Sequence, residues 1–338
     1  MPNTQISLLA FSEFADTVDR TYVEGGKLVD DLEDVKSLFN VMTIPRGTGS
    51  QKIFKEYDTE TYASYKAEGA DAAKKQATLG WSKTMTVRRF AAEIDITWEA
   101  RNEGREQEII NKLTSLATFV PQRMALDLTH RITFATATSY TDMDGESVDT
   151  SMGYTTTTAL VDATHDLAAS ATTYTNVITG NPSFSAGGFE AALEIENTQV
   201  LSNFGERRIY DFDCVYSGDD PATIREIRQL FNSMADVDGN NPGVVNTYKA
   251  ARKHVVLKRL ATTASGAYDS TKKKYWGTVA RGQWSAYLGI WEESNLKKPA
   301  TGNNGEDIHN DDWTFGTRGS YGIAVVSGRG FTLSTGLG

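Results

Sequence analysis

The sequence predicts a mixed α+β fold from three observations: a strand with strict two-residue alternation at 90–96, a long amphipathic helix soon after it, and a stretch from Tyr154 to Leu333 in which helix-like and strand-like segments alternate. Of the 338 residues, 39% are hydrophobic and 23% charged, which is enough apolar material for one large or two ordinary domains and too much for a disordered chain. The mean hydropathy of -0.40 is lean for that length. Part of the chain is therefore expected to be extended and to bury its apolar side chains elsewhere.

The first section, 1–45, carries Leu8, Leu9, Phe11, Phe14 and Val18 at helical spacing, then Leu28, Leu32, Val35 and Phe39. Neither run can build a core alone, so the section reads as an N-terminal arm that packs on something else. Pro45-Arg46-Gly47-Thr48-Gly49 breaks the chain. The run Lys52 to Tyr57 follows, then a polar, alanine-rich excursion from Asp58 to Gly80, then a return from Trp81 to Thr97. In the return, Met85 and Val87 share one parity, whereas Phe90, Ala92, Ile94 and Ile96 share the other, with Glu93 and Asp95 opposite. The change near Arg88-Arg89 predicts a bulge. Section 46–97 thus reads as a long two-stranded hairpin, which is marginal in water by itself and is expected to lie on a partner.

The strongest helix follows. Ile109, Leu113, Leu116, Val120, Met124, Leu128 and Ile132 keep steps of three or four residues, and Glu103, Glu106 and Glu108 sit where the helix dipole favours negative charge. Pro121 predicts a kink. Farther on, Leu160 to Ala169 and Gly188 to Val200 read as helices and Tyr210 to Tyr216 as a buried strand. Asp220-Pro221 opens a helix lined by Ile224, Ile227 and Phe231, with the aspartate as cap and the proline in the first turn. His254 to Leu260 and Tyr275 to Trp291 read as strands, Lys297 to Asp312 as a polar linker, and Tyr321 to Val326 with Gly330 to Leu333 as a terminal hairpin.

Several function classes are disfavoured. No run of about 20 apolar residues is present to span a membrane. The start, Met1-Pro2-Asn3-Thr4-Gln5 before Leu8-Leu9-Ala10-Phe11, is not a signal peptide, so synthesis in the cytoplasm is expected. Cys214 is the single cysteine, reads as a small buried strand residue and leaves no disulfide or thiolate metal site. The net charge of -10 argues against gripping nucleic acid through the overall field, and Lys74-Lys75, Arg88-Arg89, Lys258-Arg259 and Lys272-Lys273-Lys274 are short and scattered. Gly25-Gly26-Lys27-Leu28 lacks the spacing of a phosphate loop. His130, His165, His254 and His309 are far apart and read as structural or surface residues, although a spatially assembled triad stays open. Asp236-Val237-Asp238-Gly239-Asn240 places its glycine too early for a calcium loop and reads as a turn. Trp276, Trp284 and Trp291 read as packing residues. No catalytic residue, cofactor or metal is expected.

The order of segments (arm, long charged hairpin, long helix, mixed lobe, closing strands) resembles the major capsid proteins of tailed bacteriophages, the Hong Kong 97-like fold. Arg88-Arg89-Phe90-Ala91-Ala92-Glu93-Ile94 through Phe134-Ala135-Thr136-Ala137-Thr138-Ser139 resembles that family's extended loop and spine helix. Asp211-Phe212-Asp213-Cys214-Val215-Tyr216-Ser217 with its capped helix resembles the strand–helix step of the axial domain, and Tyr321 to Gly330 the closing strands. The similarity covers nearly the whole chain and lies in architecture and residue character. It implies an N-arm at 1–45, an extended loop at 46–97, a spine helix and peripheral domain at 98–150, an axial domain at 151–300 and closing peripheral strands at 301–338. It further implies a non-enzymatic subunit that self-assembles, as hexamers and pentamers, into an icosahedral head. Such a head encloses double-stranded DNA without binding it specifically. Scaffolding, portal and decoration proteins are candidate partners, and the expected location is the virion after assembly in the host cytoplasm.

On this resemblance the expected interface residues are Phe11 and Phe14 of the arm and Tyr57, Tyr62, Tyr65, Lys66, Lys74, Lys75, Trp81, Arg88 and Arg89 of the loop. Some family members cross-link a loop lysine to a neighbour's asparagine with help from a carboxylate. Lysines and the asparagines Asn303, Asn304 and Asn310 are present, but no Asp or Glu occurs from Trp313 onward, so a non-covalent shell is expected. Two alternatives stay open: the shell of a bacterial protein compartment with the same fold, and a hydrolase or sugar-binding protein of mixed fold.

Overall fold

A helix with one apolar stripe must be covered along its whole length, and here a sheet does most of the covering. The computed structural model describes residues 20–26, 29–45, 47–103, 105–152, 157–234, 245–298 and 312–338. Among these, a helical segment 20–26 and helix α1 (Asp30–Lys36) lead to strand β1 (Asn40–Thr43). Strands β2 (Gln51–Thr59), β3 (Ala77–Thr86) and β4 (Arg88–Ile96) follow, then a short helix α2 (Trp98–Asn102) and the long helix α3 (Glu106–Thr133). The second half contains α4 (Ala186–Glu194), β5 (Cys214–Ser217), α5 (Pro221–Asn232), β6 (Lys253–Val256), β7 (Trp276–Val279), β8 (Ala286–Lys297) and β9 (Trp313–Val325), besides short two-stranded ribbons.

All seven stripe residues of α3 are buried, as their spacing predicts, and Leu116 is fully enclosed. Near its start, Ile109, Leu113 and Leu116 pack on Ile96, Trp313 and Phe315. Toward its end, Met124, Leu128 and Ile132 join Val35, Leu38, Leu288 and Tyr321 in the largest core. The helix runs through Pro121 without interruption. The covering sheet is four-stranded in the order β1-β8-β9-β4. Strand β1 runs parallel to β8, whereas β9 is antiparallel to both its neighbours, with Trp313 opposite Ile96 and Tyr321 opposite Arg88.

The parity change near Arg88 has a specific cause. Up to Thr86 the chain pairs with β2; from Arg88 it pairs with β9. Val87 sits between the two ladders and donates its N–H to Ser50 O at 2.8 Å. The expected bulge is therefore a strand passing from one ribbon into another sheet. Met85, at the root of the hairpin, is wholly buried. A Cβ on Gly289 would lie 2.5 Å from Met85 Cε, and one on Gly322 would lie 2.9 Å from Met85 Cγ. Two glycines on adjacent strands thus make the socket into which the hairpin root plugs.

The second lobe is built on the three-stranded sheet β6-β5-β7. Strand β5 is buried at every position. Cys214 and Tyr216 face the main core, while Val215 faces a separate cluster of Phe184, Phe189, Ile227, Leu230, Phe231 and Trp276. Aromatic packing fixes that cluster: Phe184 meets Trp276 edge-on at 4.8 Å and Phe189 meets Phe231 at 5.4 Å. Helix α5 starts as expected, with Asp220 accepting from Thr223 N–H at 3.1 Å and Pro221 in the first turn.

Several expectations are corrected. Residues 160–169 form no helix; bends and a two-residue strand, His165–Asp166, paired with Thr173–Tyr174, lie there and are held by polar side chains such as Asn176, whose Nδ2 donates to Leu160 O at 2.8 Å. The span Tyr275 to Trp291 is two strands, β7 and β8, turned at Gly282, whose φ of +78° suits glycine. The expected terminal hairpin is replaced by one long strand, β9, while Phe331 and Ser334 bridge to Val279 and Trp276 of β7. The strand expected at 210–216 is shorter, beginning at Cys214, and that expected at 254–260 ends at Val256. The candidate helix 8–18, the glycine-lysine step at Lys27, the turn 236–243, His309 and most of the linker 297–312 lie outside the described residues.

Burial also fixes the protonation of two histidines. His130 is 1% exposed, accepts or donates at Thr262 Oγ1 (3.0 Å), and is pushed down to about 4 by burial and then by Lys272 and Arg123. His254 is likewise pushed down to about 4 by burial and by Arg228.

Leu116→Asp should abolish the cooperative thermal transition followed by circular dichroism, because an unpaired buried carboxylate costs several kcal/mol of the roughly 5–15 kcal/mol that a domain has. A normal melt would contradict the assignment of this helix face. Stability should also fall in acid. The unfolded chain protonates both histidines below about 6.5 while the fold resists until about 4. Denaturant titrations should therefore show stability intact above pH about 6.5 and declining toward pH about 4, by up to about 3 kcal/mol per histidine.

Candidate interaction surface

Strands β2 and β3 make a hairpin whose two faces differ in kind. Their register places Ile53 opposite Thr84, Lys55 opposite Ser82 and Tyr57 opposite Leu79. Between the last two pairs the ladder shifts, so that Glu56 alone faces Gly80 and Trp81. This is a bulge on β3.

The inner face is bonded to the body through aromatic and charged side chains alike. Phe54 stacks on Tyr287 at 4.5 Å. Lys83 Nζ donates to Asp149 Oδ2 at 2.5 Å and to Ser151 O at 2.8 Å, and burial lowers its pKa against the pull of Asp149. Glu56 pairs with Arg329, and Asp58 pairs with Arg208 while accepting from Asn203 N–H at 2.8 Å. Thr61 N–H donates to Glu206 Oε2 at 2.7 Å.

The outer face is uncovered and mixed: exposed apolar residues alternate there with Lys55, Ser82 and Thr84. Ile53 is 63% exposed, Tyr57 65% and Leu79 55%. Residues 61–77 are exposed at every position, and Tyr62 and Tyr65 project there at 63% and 93%. Single exposed apolar residues are ordinary; Ile53, Tyr57 and Leu79 on one ribbon face, interleaved with polar residues, make a candidate contact surface.

Sequence reasoning expects Tyr57, Tyr62 and Tyr65 at an interface; all three are exposed on the hairpin. Lys66 and Lys74 are exposed at the tip, and Lys75 pairs with Glu60 at 3.2 Å. Trp81 turns inward and packs on the main core; Arg88 pairs with Asp142 at 3.1 Å; Arg89 stays exposed. Phe11 and Phe14 lie outside the described residues. Sequence reasoning missed Ile53 and Leu79, although Ile53 shares its parity with Tyr57, and it missed the inner anchors. It read 58–80 as one polar excursion, whereas β2 continues to Thr59 and β3 begins at Ala77.

Other groupings of reactive side chains have structural explanations. Ser217 Oγ lies 2.9 Å from His254 Nε2, a contact that resembles a nucleophile and its base. Ser217 is fully buried and its hydroxyl lies 3.0 Å from Gly218 O as donor, while the charge facing His254 is Arg228 rather than an orienting carboxylate. The pair is structural. Cys214 is buried, and burial pushes its thiol up to about 12, far from a reactive thiolate. Lys83, Arg88, Asp127, Arg131, Asp142 and Asp149 line a cavity of about 200 Å³, and Lys83 and Arg88 are ion-paired within that lining. Among the described residues no group of three or more His, Cys, Asp or Glu can hold a metal, and no helix is long and apolar enough to cross a membrane.

No family model matches the chain, and no curated protein matches it in sequence. Solved structures to which it is similar include the capsid structure of cyanophage P-SCSP1u, at 13% identity and a TM-score of 0.49 over 88% of this chain and 86% of that one. The asymmetric unit of the bacteriophage PhiM1 mature capsid gives 12% identity and a TM-score of 0.49 over 88% and 85%. A structure from Mycobacterium phage Ogopogo gives 12% identity and a TM-score of 0.47 over 88% and 90%.

Proposed function

We propose that this chain is a shell-building subunit, the major capsid protein of a tailed bacteriophage, with no catalytic role. The observation that carries the reading is the hairpin: its inner face is anchored to its own body, its outer face of Ile53, Tyr57 and Leu79 is left for another molecule, and its tip reaches beyond both. The order of segments in the sequence supports the same reading. The partner is a second copy, arranged as hexamers and pentamers around an icosahedral head. In domain terms, 46–97 is the extended loop, 98–150 the spine and peripheral region, 151–300 the axial domain and 301–338 the closing strands; of the arm assigned to 1–45, the part from α1 through β1 is built into the chain's own core and central sheet. DNA is enclosed rather than gripped, in keeping with a net charge of -10. Scaffolding, portal and decoration proteins are further partners of this reading, and the virion is its location.

Removing residues 61–76 should leave the thermal melt within a few degrees of the intact chain and abolish rings or shells in negative-stain micrographs. Those residues bury nothing within the chain. Shells of normal size from the shortened protein would refute the reading, as would an intact chain that stays monomeric at high concentration with its scaffold.

The shell should be non-covalent. An unassisted lysine is protonated near neutral pH, with a reference pKa of about 10.4, and is then a poor nucleophile. Lys66, Lys74 and Lys75 are exposed or surface-paired, and no carboxylate side chain follows Trp313. Particles boiled in detergent should run as one band at 37.0 kDa. A ladder that survives reducing agent would show that another segment supplies the acid.

A further inference from the structure

Two buried donors beneath the hairpin have no acceptor among the described residues: Trp81 Nε1–H and Asn203 Nδ2–H. Trp81 belongs to β3, whereas Asn203, 2% exposed, belongs to the body. Turning the asparagine amide over would not help. Its Oδ1 accepts from Arg329 Nη2 at 3.2 Å and from Ala168 N–H at 3.3 Å, which fixes the direction of Nδ2. Its backbone is equally committed, with the N–H given to Asp58 Oδ2 at 2.8 Å and the carbonyl accepting from Ala169 N–H at 3.0 Å. An indole N–H can only donate. Leaving such donors unpaired costs more than a made hydrogen bond gains, and buried polar groups in folded proteins are as a rule paired with protein or with ordered water. The bulge brings a carboxylate to the same place. A Cβ on Gly80 would strike Glu56 Oε2 and lie 2.8 Å from Asn203 Nδ2, and Arg329 holds the other oxygen, Oε1. A cavity of about 20 Å³ is lined by Trp81, Asn203 and Glu56 together with Tyr174, Ser327 and Arg329.

We infer that this cavity is a binding site for a single water molecule, which accepts from Trp81 Nε1–H and Asn203 Nδ2–H and donates to Glu56 Oε2. Volume and chemistry both select water. One water needs on the order of 10–15 Å³ of such space and two to four polar partners, and the site offers both. A metal ion or an ammonium group needs lone pairs where the two N–H groups stand. An anion has no proton to give the Glu56 carboxylate and would be repelled by it. The neighbouring donors are already engaged. Each nitrogen of Arg329 has an acceptor, on Leu201, Glu56 and Asn203. His165, also in the lining, has Nε2 at 3.1 Å from Asn176 Oδ1 and Nδ1 at 3.2 Å from Thr158 Oγ1. Trp81 and Glu56 lie on the hairpin and Asn203 on the body, so the water bridges the two and supplies the polar partner that a buried indole requires. The site belongs to the single chain and does not depend on the function proposed above.

The test uses dilute, unassembled full-length protein, deuterated and labelled with nitrogen-15, so that its result does not depend on whether shells form. Six tryptophans give six indole N–H signals, and that of Trp81 is the one lost in Trp81→Phe. In rotating-frame spectra this signal should carry a through-space cross-peak to water, as should the side-chain amide of Asn203, identified by its loss in Asn203→Ser. The same cross-peaks should change sign in the laboratory frame, the mark of a water that stays bound rather than one passing over the surface. The hydroxyls of Tyr174 and Ser327 also line the cavity and exchange protons with solvent, so the measurement is repeated in Tyr174→Phe/Ser327→Ala, where both cross-peaks should persist. An independent check is a structure at a resolution that shows ordered solvent. It should place a water within about 2.7–3.2 Å of both nitrogens. Absence of either cross-peak from the intact chain would overturn the inference, as would loss of both once the two hydroxyls are removed. An indole or amide found turned onto a protein acceptor in that structure would overturn it equally.

Discussion

The contact between α3 and the central strand β9 is the constraint on which the other elements depend. A strand flanked on both edges and covered by a helix has almost no position left for solvent, and β9 is buried along most of its length. Ile109, Leu113 and Leu116 fill the space over Trp313 and Phe315. Farther along, the Tyr321 hydroxyl donates to Asp127 on the helix at 2.7 Å, and Arg123 holds the same carboxylate at 2.9 Å. Burial raises the pKa of Asp127, with Arg123 and Tyr321 opposing it. Strand β4 pairs with β9 and continues backward into the hairpin. The helix–sheet contact thereby fixes where the hairpin leaves the body, and the Met85 socket fixes its root.

The hairpin mixes polarity on both faces: Glu56, Asp58 and Lys83 pair with the body beside Phe54, Trp81 and Met85, while Ile53, Tyr57 and Leu79 are left exposed on the outside. Ion pairs that lose their water contribute little net stability, because desolvation offsets attraction, but they define geometry sharply. That balance suits a ribbon whose value lies in its direction. Lys83 with Asp149 on one flank and Glu56 with Arg329 on the other hold it from two sides.

Legibility in the sequence followed solvent exposure. Strand β4 could be read because one of its faces meets water, so Glu93 and Asp95 alternate with Phe90, Ala92 and Ile94. Helix α3 could be read for the same reason. Strand β9 could be read only in its last part, from Tyr321, because both its faces are covered and its earlier glycines look like breakers. The strand's glycines mark close approaches: a Cβ on Gly319 would lie 2.7 Å from Val120 Cγ1, and one on Gly322 2.8 Å from Thr86 O. On the hairpin, tyrosines in a polar excursion gave away the outer face. The anchors gave no local signal, since Glu56 and Arg329 are 273 positions apart and Asp58 and Arg208 150 apart. Only the folded chain brings them together.

The strength of the outer face also bears on what it can do. Fully burying an aliphatic or aromatic side chain yields about 1.5–3 kcal/mol, and Ile53, Tyr57 and Leu79 are already partly covered, so the strip offers on the order of 3–5 kcal/mol before the costs of association. At about 1.4 kcal/mol per tenfold in affinity, that alone does not hold two molecules together at micromolar concentration. The net charge of -10 adds mutual repulsion between free chains, which salt screens beyond roughly 8 Å. A contact this weak is unsuited to a lone dimer. On the proposed function it suits a closed array in which each copy both gives and receives a hairpin: single contacts can open and correct a misplaced neighbour, while the ring holds because all of them must open at once. In that reading the weakness of the strip serves orderly closure, and a more apolar outer face would favour trapped, irregular aggregates over shells.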